Sequence, residues 1–192
     1  MAASAGRLVV VRHGPTAWSE TGRHTGLTDV ELTHDGEQEA RALAPRLAAY
    51  RPTVVLASPL VRARRTAQLA GLDPEIEPDL REWDYGVYEG RTTAEIRTTL
   101  NDPEWEVWTT TSGLGESLDA VGERSRRVIG RCTPDVAAGR TVVLVAHAHL
   151  LRVLTAVWLG LEPRAGRSFI LDPAGVGILG HERDNPVLLA WN

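Results

Sequence analysis

Within residues 7–16 (RLVVVRHGPT) an apolar run leads straight into Arg12, His13 and Gly14. An arginine-flanked histidine at the end of such a run is suited to an anionic group. The guanidinium offers forked, charge-assisted donors. A neutral imidazole nitrogen can act as a nucleophile near neutral pH, where a lysine amine is protonated. Further candidates stand behind later apolar runs. Arg62 follows residues 53–57 and Ser58-Pro59, Glu82 lies within residues 79–90 (DLREWDYGVYEG), and His147 closes residues 141–146, with His149 and Arg152 beyond it. His147-x-His149 also admits a metal reading, two imidazoles with Glu82 as a further ligand. Against it, no HExxH and no supporting Asp/His cluster accompanies the pair, and His13 beside an arginine is poorly placed next to a cation. Neither a metal nor another cofactor is expected.

The runs at 7–11, 53–57 and 141–146 are apolar without alternation, the pattern of strands buried on both faces in a parallel sheet. Chemistry just past their C-terminal ends sits where open α/β sheets bind ligands. Residues 15–32 read as a loop. Thr33 offers an N-cap with Asp35, Glu37 and Glu39 behind it, and Ala40, Leu43, Ala44, Leu47 and Ala48 make one helical stripe, with a kink expected at Pro45. A short helix over 60–70 carries Arg62, Arg64 and Arg65 in its opening turns. Cations are disfavoured there by the helix dipole, which favours a ligand over a solvated face, although Arg64 and Arg65 themselves read as solvated or structural rather than as substrate ligands.

A short strand is expected at 75–77, an ordered loop at 79–90 and a short helix at 93–100. Residues 100–116 form a candidate lid, with Trp105 and Trp108 packing beneath it. A helix follows from Leu118 through Cys132, bending or ending at Pro134, and residues 150–161 form a buried helix. The stretch 168–192 holds short β-like runs (SFIL, VGILGH, VLLAW). Strand and helix in alternation predict an α/β three-layer sandwich, a mostly parallel sheet with helices on both faces. One domain over 1–192 is expected.

Composition narrows the field. A 43% hydrophobic and 24% charged content is that of a globular protein, and a net charge of −4 gives no reason to expect nucleic acid or an anionic membrane as partner. With Cys132 as the one cysteine no intrachain disulfide can form, the first strand begins too early for a signal peptide, and no apolar run reaches the ~18 residues of a membrane span. The expected location is cytoplasmic. A homodimer is compatible with the sequence, which does not fix oligomeric state.

The candidates belong to an ordered set of segments spread over residues 7–152. These are Arg12-His13-Gly14 with Thr16; Thr25-Gly26-Leu27-Thr28-Asp29 leading to Leu32-Thr33 and Gly36; and Ser58-Pro59-Leu60 with Arg62-Ala63 and Thr66-Ala67. Leu80-Arg81-Glu82 with Gly86 and Glu89-Gly90, then Val145-Ala146-His147 with Arg152, complete the set. It resembles the histidine phosphatase superfamily, the phosphoglycerate mutase-like proteins. Within that superfamily Trp18-Ser19, Trp83, Tyr85-Gly86, Tyr88 and His147-x-His149-x-x-Arg152 most resemble the sedoheptulose-bisphosphatase-like branch and related bacterial acid phosphatases.

The resemblance implies a phosphoglycerate mutase-like fold and a metal-independent phosphomonoesterase acting on small phosphate esters such as sugar (bis)phosphates. It implies His13 as nucleophile, forming a phosphohistidine. Arg12, Arg62 and His147 would supply donors or positive charge to the phosphoryl oxygens, and Glu82 a proton to the leaving alkoxide. Asp84 and Glu89 are the competing acids in the same loop. Ser19, His24, Thr25, Gly26, Tyr85 and Arg152 form the expected substrate-binding set, with Arg152 holding a second anionic group. The alternatives are a phosphoglycerate mutase and a non-catalytic phospho-ligand module. Pro15, Ser19 and Ala148 depart from the mutase pattern, and His24 stands where the bisphosphatase branch has tyrosine.

Overall fold

Strand β1 (Arg7–Arg12) is the hub of the chain, and its Leu8, Val9, Val10 and Val11 are fully buried. A computed structural model describes residues 6–192; residues 1–5, which the single-domain expectation includes, lie outside the described residues. The other strands are β2 (Val54–Ala57), β3 (Glu75–Ile76), β4 (Thr141–Ala146), β5 (Val176–Glu182) and β6 (Asn185–Ala190). They form a six-stranded sheet in the order β3-β2-β4-β1-β5-β6. β1 pairs in parallel with β4, placing Val9 opposite Val143, and β2 is parallel to both β4 and β3. Only β5 runs against the others, pairing antiparallel with β1 and β6.

Because successive side chains of a strand point to opposite faces, every central strand feeds two cores. Leu8, Val10, Leu56, Val142 and Leu144 pack in the cluster that holds α6 (Leu118–Ala137) and α7 (Ala148–Trp158). Val9, Val11, Ala57, Val143 and Val145 face the opposite cluster with residues of α3 (Ala44–Ala49) and α4 (Val61–Leu69). The three-layer expectation holds, and this double burial is why the strands show no polar alternation.

Several local expectations need correction. The loop at 15–32 contains a short helix, α1 (Ala17–Glu20), started by a reciprocal capping box between Thr16 and Ser19. The helix capped by Thr33 breaks at Leu43 into α2 (His34–Ala42) and α3, with Pro45 in the first turn of α3, where its missing N–H costs least. Residues 93–100 form α5 (Thr93–Leu100) behind a Thr92–Glu95 capping box. Pro134 does not end α6, which continues to Ala137; buried Cys132 and Val136 anchor that last turn on the core. The SFIL run is not a strand. A 3-10 segment (Pro163–Ser168) occupies its start. The carbonyls that follow accept from side chains instead of a ladder, Ile170 from Trp191 and Asn192, and Leu171 from Arg12. Among the described residues no helix is long and apolar enough to cross a membrane.

Candidate active site

The C-terminal ends of β1 and β4 open into a cavity of about 350 Å³. Of the expected site residues, Arg12, His13, Ser19, His24, Thr25, Glu82, Tyr85 and Arg152 line it. Arg62, Gly26 and His147 do not line it.

His13 leaves β1 with its main-chain N–H on the Ala146 carbonyl, so the two parallel strands deliver it together. Its Nδ1 lies 2.7 Å from the Gly14 carbonyl, which can only accept. The proton therefore sits on Nδ1, and Nε2 carries the lone pair. Burial, then Arg62 and Arg12, push its pKa well below 6.5, so the ring is neutral at pH 7. Gly14 is required by close approach: a Cβ there would meet the Gly36 carbonyl oxygen at 2.5 Å. Thr66 fixes the same turn by accepting the Gly14 N–H at 3.1 Å.

Arg12 donates Nη1 to the Leu171 carbonyl at 2.6 Å, while its buried Nε has no partner. A buried charged donor left unpaired is costly unless something fills the place. Arg62 stands differently from the sequence expectation. It is fully buried, with Nε donating to His147 Nδ1, Nη1 to the Thr28 carbonyl and Nη2 to the carbonyls of Thr25 and Gly26. Four of its five N–H groups are thus committed, three of them to the 25–28 loop and one to His147, and one on Nη1 is uncommitted.

The expectation that His147 supplies a donor or positive charge to the phosphoryl oxygens is corrected. Its Nδ1 accepts from Arg62, so Nε2 bears the proton and donates to Ser58 Oγ at 2.7 Å. Burial and the Arg62 charge lower its pKa well below 6.5 and keep it neutral. Its ring lies 5.2 Å from that of His13, centroid to centroid. His147 acts as a spacer that holds Arg62 and Ser58 beside His13. Gly26 is likewise a backbone position: its N–H meets the Glu89 carboxylate, and a Cβ would strike the Trp83 carbonyl oxygen at 2.6 Å.

Glu82 is separated from its competitors by its surroundings. Its Oε1 accepts from the N–H groups of Trp83 and Leu150, each at 2.9 Å, and Oε2 from that of His149 at 3.1 Å. The carboxylate is thereby seated on the first turn of α7, where the dipole favours it. Glu89 is spent on Gly26 and Thr28, Asp84 accepts from Gly86, and neither lines the cavity. Buried Arg124 steadies the chain before Glu82 by donating to the carbonyls of Asp79 and Arg81 while pairing with Glu116.

The rim is more aromatic than the sequence pattern indicated. Trp105 and Trp108 are both buried, as expected of packing residues, and Trp108 also lines the cavity with Arg152 stacked 4.7 Å from its ring. Arg152 donates Nε to the Gly166 carbonyl and Nη2 to that of Arg167, which leaves Nη1 uncommitted. Arg23, Thr93, Glu106, His149 and Asp172 complete the polar lining and were not among the expected site residues. For His149 a signal existed in the His-x-His pair. For the others the approach is made by segments distant in sequence. Among the described residues no group of three or more His, Cys, Asp or Glu could hold a metal ion. Both nitrogens of His147 are engaged by protein in any case.

These histidines make the fold acid-sensitive. His13, His24, His147 and His149 all have pKa values lowered chiefly by burial, His24 from 6.5 to about 4. As pH falls through 6.5 the unfolded chain takes up protons that the folded chain refuses, so stability falls with falling pH. For His24 the loss runs down to about pH 4. Melting temperature measured at stepped pH should decline below 6.5, and His24→Gln should flatten the decline. A melting temperature that rises on acidification would contradict this.

Residues 8–192 match the family model of the histidine phosphatase superfamily (branch 1). An acid phosphatase of Mycobacterium tuberculosis is 40% identical over 179 residues, covering 92% of this chain and 87% of that protein. Sedoheptulose 1,7-bisphosphatase of Saccharomyces cerevisiae is 34% identical, over 81% of this chain and 68% of its own. The solved structure of an open reading frame product of M. tuberculosis superposes with a TM-score of 0.91 at 38% identity, covering 97% of this chain and 96% of that one. The chain belongs to the histidine phosphatase superfamily. It is a phosphatase with the mixed α/β fold of that family.

Proposed function

We propose that this chain is one histidine phosphatase domain that hydrolyses small phosphate monoesters through a phosphohistidine at His13, without a metal, and that its substrates are sugar phosphates, bisphosphates included. The observation that carries this reading is a single pairing. His13 presents a neutral Nε2, while the Nε of Arg12, in the same cavity lining, is a buried donor without an acceptor. One phosphoryl group answers both, accepting the attack of Nε2 and the charge of the guanidinium.

In this scheme Nε2 of His13 forms the bond to phosphorus as the ester oxygen leaves. Arg12 takes up the charge of the equatorial oxygens, and the buried Arg62 guanidinium adds its charge from outside the lining. Glu82, protonated when the phosphate dianion arrives beside its carboxylate, gives that proton to the leaving alkoxide, then removes one from the water that cleaves the phosphohistidine. The relatives, an acid phosphatase and a sugar bisphosphatase, support the ester class. Phosphate release from p-nitrophenyl phosphate and a panel of sugar mono- and bisphosphates, undiminished by EDTA, is the expected result. Activity abolished by EDTA and restored by a divalent ion would refute the metal-free mechanism.

Arg152 is read as the hook for a second anionic group, because it lines the cavity with a free Nη1 and is already steadied on two carbonyls and Trp108. Arg152→Ala should lower kcat/KM for a sugar bisphosphate ~10-fold more than for the matching monophosphate, worth about 1.4 kcal/mol. Equal losses would remove the preference for bisphosphates.

A further inference from the structure

His149 has no part in the chemistry proposed above, yet it is built into the cavity. Its main-chain N–H holds Glu82, its ring lines the cavity, and its Nδ1 lies 2.6 Å from the Tyr85 hydroxyl. Tyr85 is 1% exposed, and His149 is the one hydrogen-bond partner of its hydroxyl among the described residues. The direction of that bond follows from chemistry. A phenol is the better donor and an imidazole nitrogen the better acceptor. If Nδ1–H donated instead, the buried phenol proton would face no acceptor. Burial keeps the Tyr85 proton on its oxygen, and burial with Arg152 nearby keeps the His149 ring neutral.

Tyr85 therefore fixes His149 as the Nε2–H tautomer. That Nε2 has no acceptor among the described residues. It is not sealed in either, since the buried unpartnered side-chain atoms among the described residues are Arg12 Nε and Trp105 Nε1. It is an uncommitted neutral donor on a cavity-lining residue, one residue from the backbone N–H of Leu150 that also seats Glu82. A neutral N–H suits a hydroxyl or ether oxygen, and a site that hydrogen-bonds such an oxygen discriminates against the analogue lacking it.

Resting on the phosphatase reading, we propose that His149, oriented by Tyr85, donates its Nε2–H to an oxygen of the leaving group and so selects polyol-type phosphate esters over plain alkyl ones. Its role is specificity; Glu82 remains the acid.

The test has a structural arm and a kinetic one. Nitrogen-15 spectra of the imidazoles in the resting protein should show His149 as Nε2–H, and as a tautomer mixture in Tyr85→Phe. The ratio of kcat/KM for glycerol 1-phosphate to that for propyl phosphate should fall ~10-fold in His149→Phe and recover in His149→Gln, whose amide keeps a donor. An Nδ1–H tautomer in the wild type overturns the proposal, as does an equal loss on both esters. If the wild type hydrolyses neither ester, the substrate class proposed above fails, and binding decides the proposal. In His13→Ala, glycerol 1-phosphate but not propyl phosphate should then shift the His149 Nε2–H resonance; equal shifts, or none, would overturn it.

Discussion

His13→Ala is expected to abolish turnover, with kcat reduced by ~10³-fold or more, the scale of deleting the nucleophile from a covalent mechanism. The size of the effect follows from the surroundings. His147 is the nearest other imidazole, at 5.2 Å between ring centroids, but its Nδ1 is capped by Arg62 and its Nε2 by Ser58. No lone pair there is free to take over. Circular dichroism and a cooperative melt should show that the variant folds, since the change removes one bond to the Gly14 carbonyl and leaves both strands paired. Steady-state phosphate release checks the prediction, and turnover by His13→Ala at a rate comparable to wild type would sink it.

The second large effect is selective. Glu82→Gln should slow esters with poor leaving groups, such as sugar alkoxides, ~10²–10⁴-fold more than p-nitrophenyl phosphate, because nitrophenolate departs without a proton. The glutamine amide can still accept through one oxygen from the first turn of α7, but its NH2 faces N–H donors that formerly met a carboxylate oxygen. Some loss common to both substrates is therefore expected, and the ratio between them is the diagnostic quantity. Equal loss on both would move the acid role away from Glu82.

Much of this site was legible in the sequence because burial on two faces leaves an unmistakable pattern. Leu8–Val11 and Val142–Val145 show no alternation, so the central strands and the residues just past them, His13 and His147, could be placed in advance. Glu82 could be named only through the resemblance, since nothing local separates it from Asp84 and Glu89. The structure separates them by which backbone N–H groups each carboxylate meets. The reading of Arg62 as a phosphate fork missed its commitment to the 25–28 loop, because a guanidinium's partners are carbonyls that carry no sequence signature. The same limit hid Arg23, Glu106 and Asp172, brought to the cavity by loops whose paths depend on packing. The SFIL run had strand composition, yet its carbonyls serve Arg12, Trp191 and Asn192, a tertiary use that outweighs β propensity.

In the proposed mechanism the phosphoryl group passes through His13, and the stereochemical course at phosphorus is the sharpest test of that passage. A monoester made chiral at phosphorus with oxygen isotopes is hydrolysed in isotopically labelled water, and the configuration of the released phosphate is determined. Two successive in-line displacements, ester to His13 and His13 to water, predict overall retention. Inversion would mean a single direct attack by water and would contradict the account.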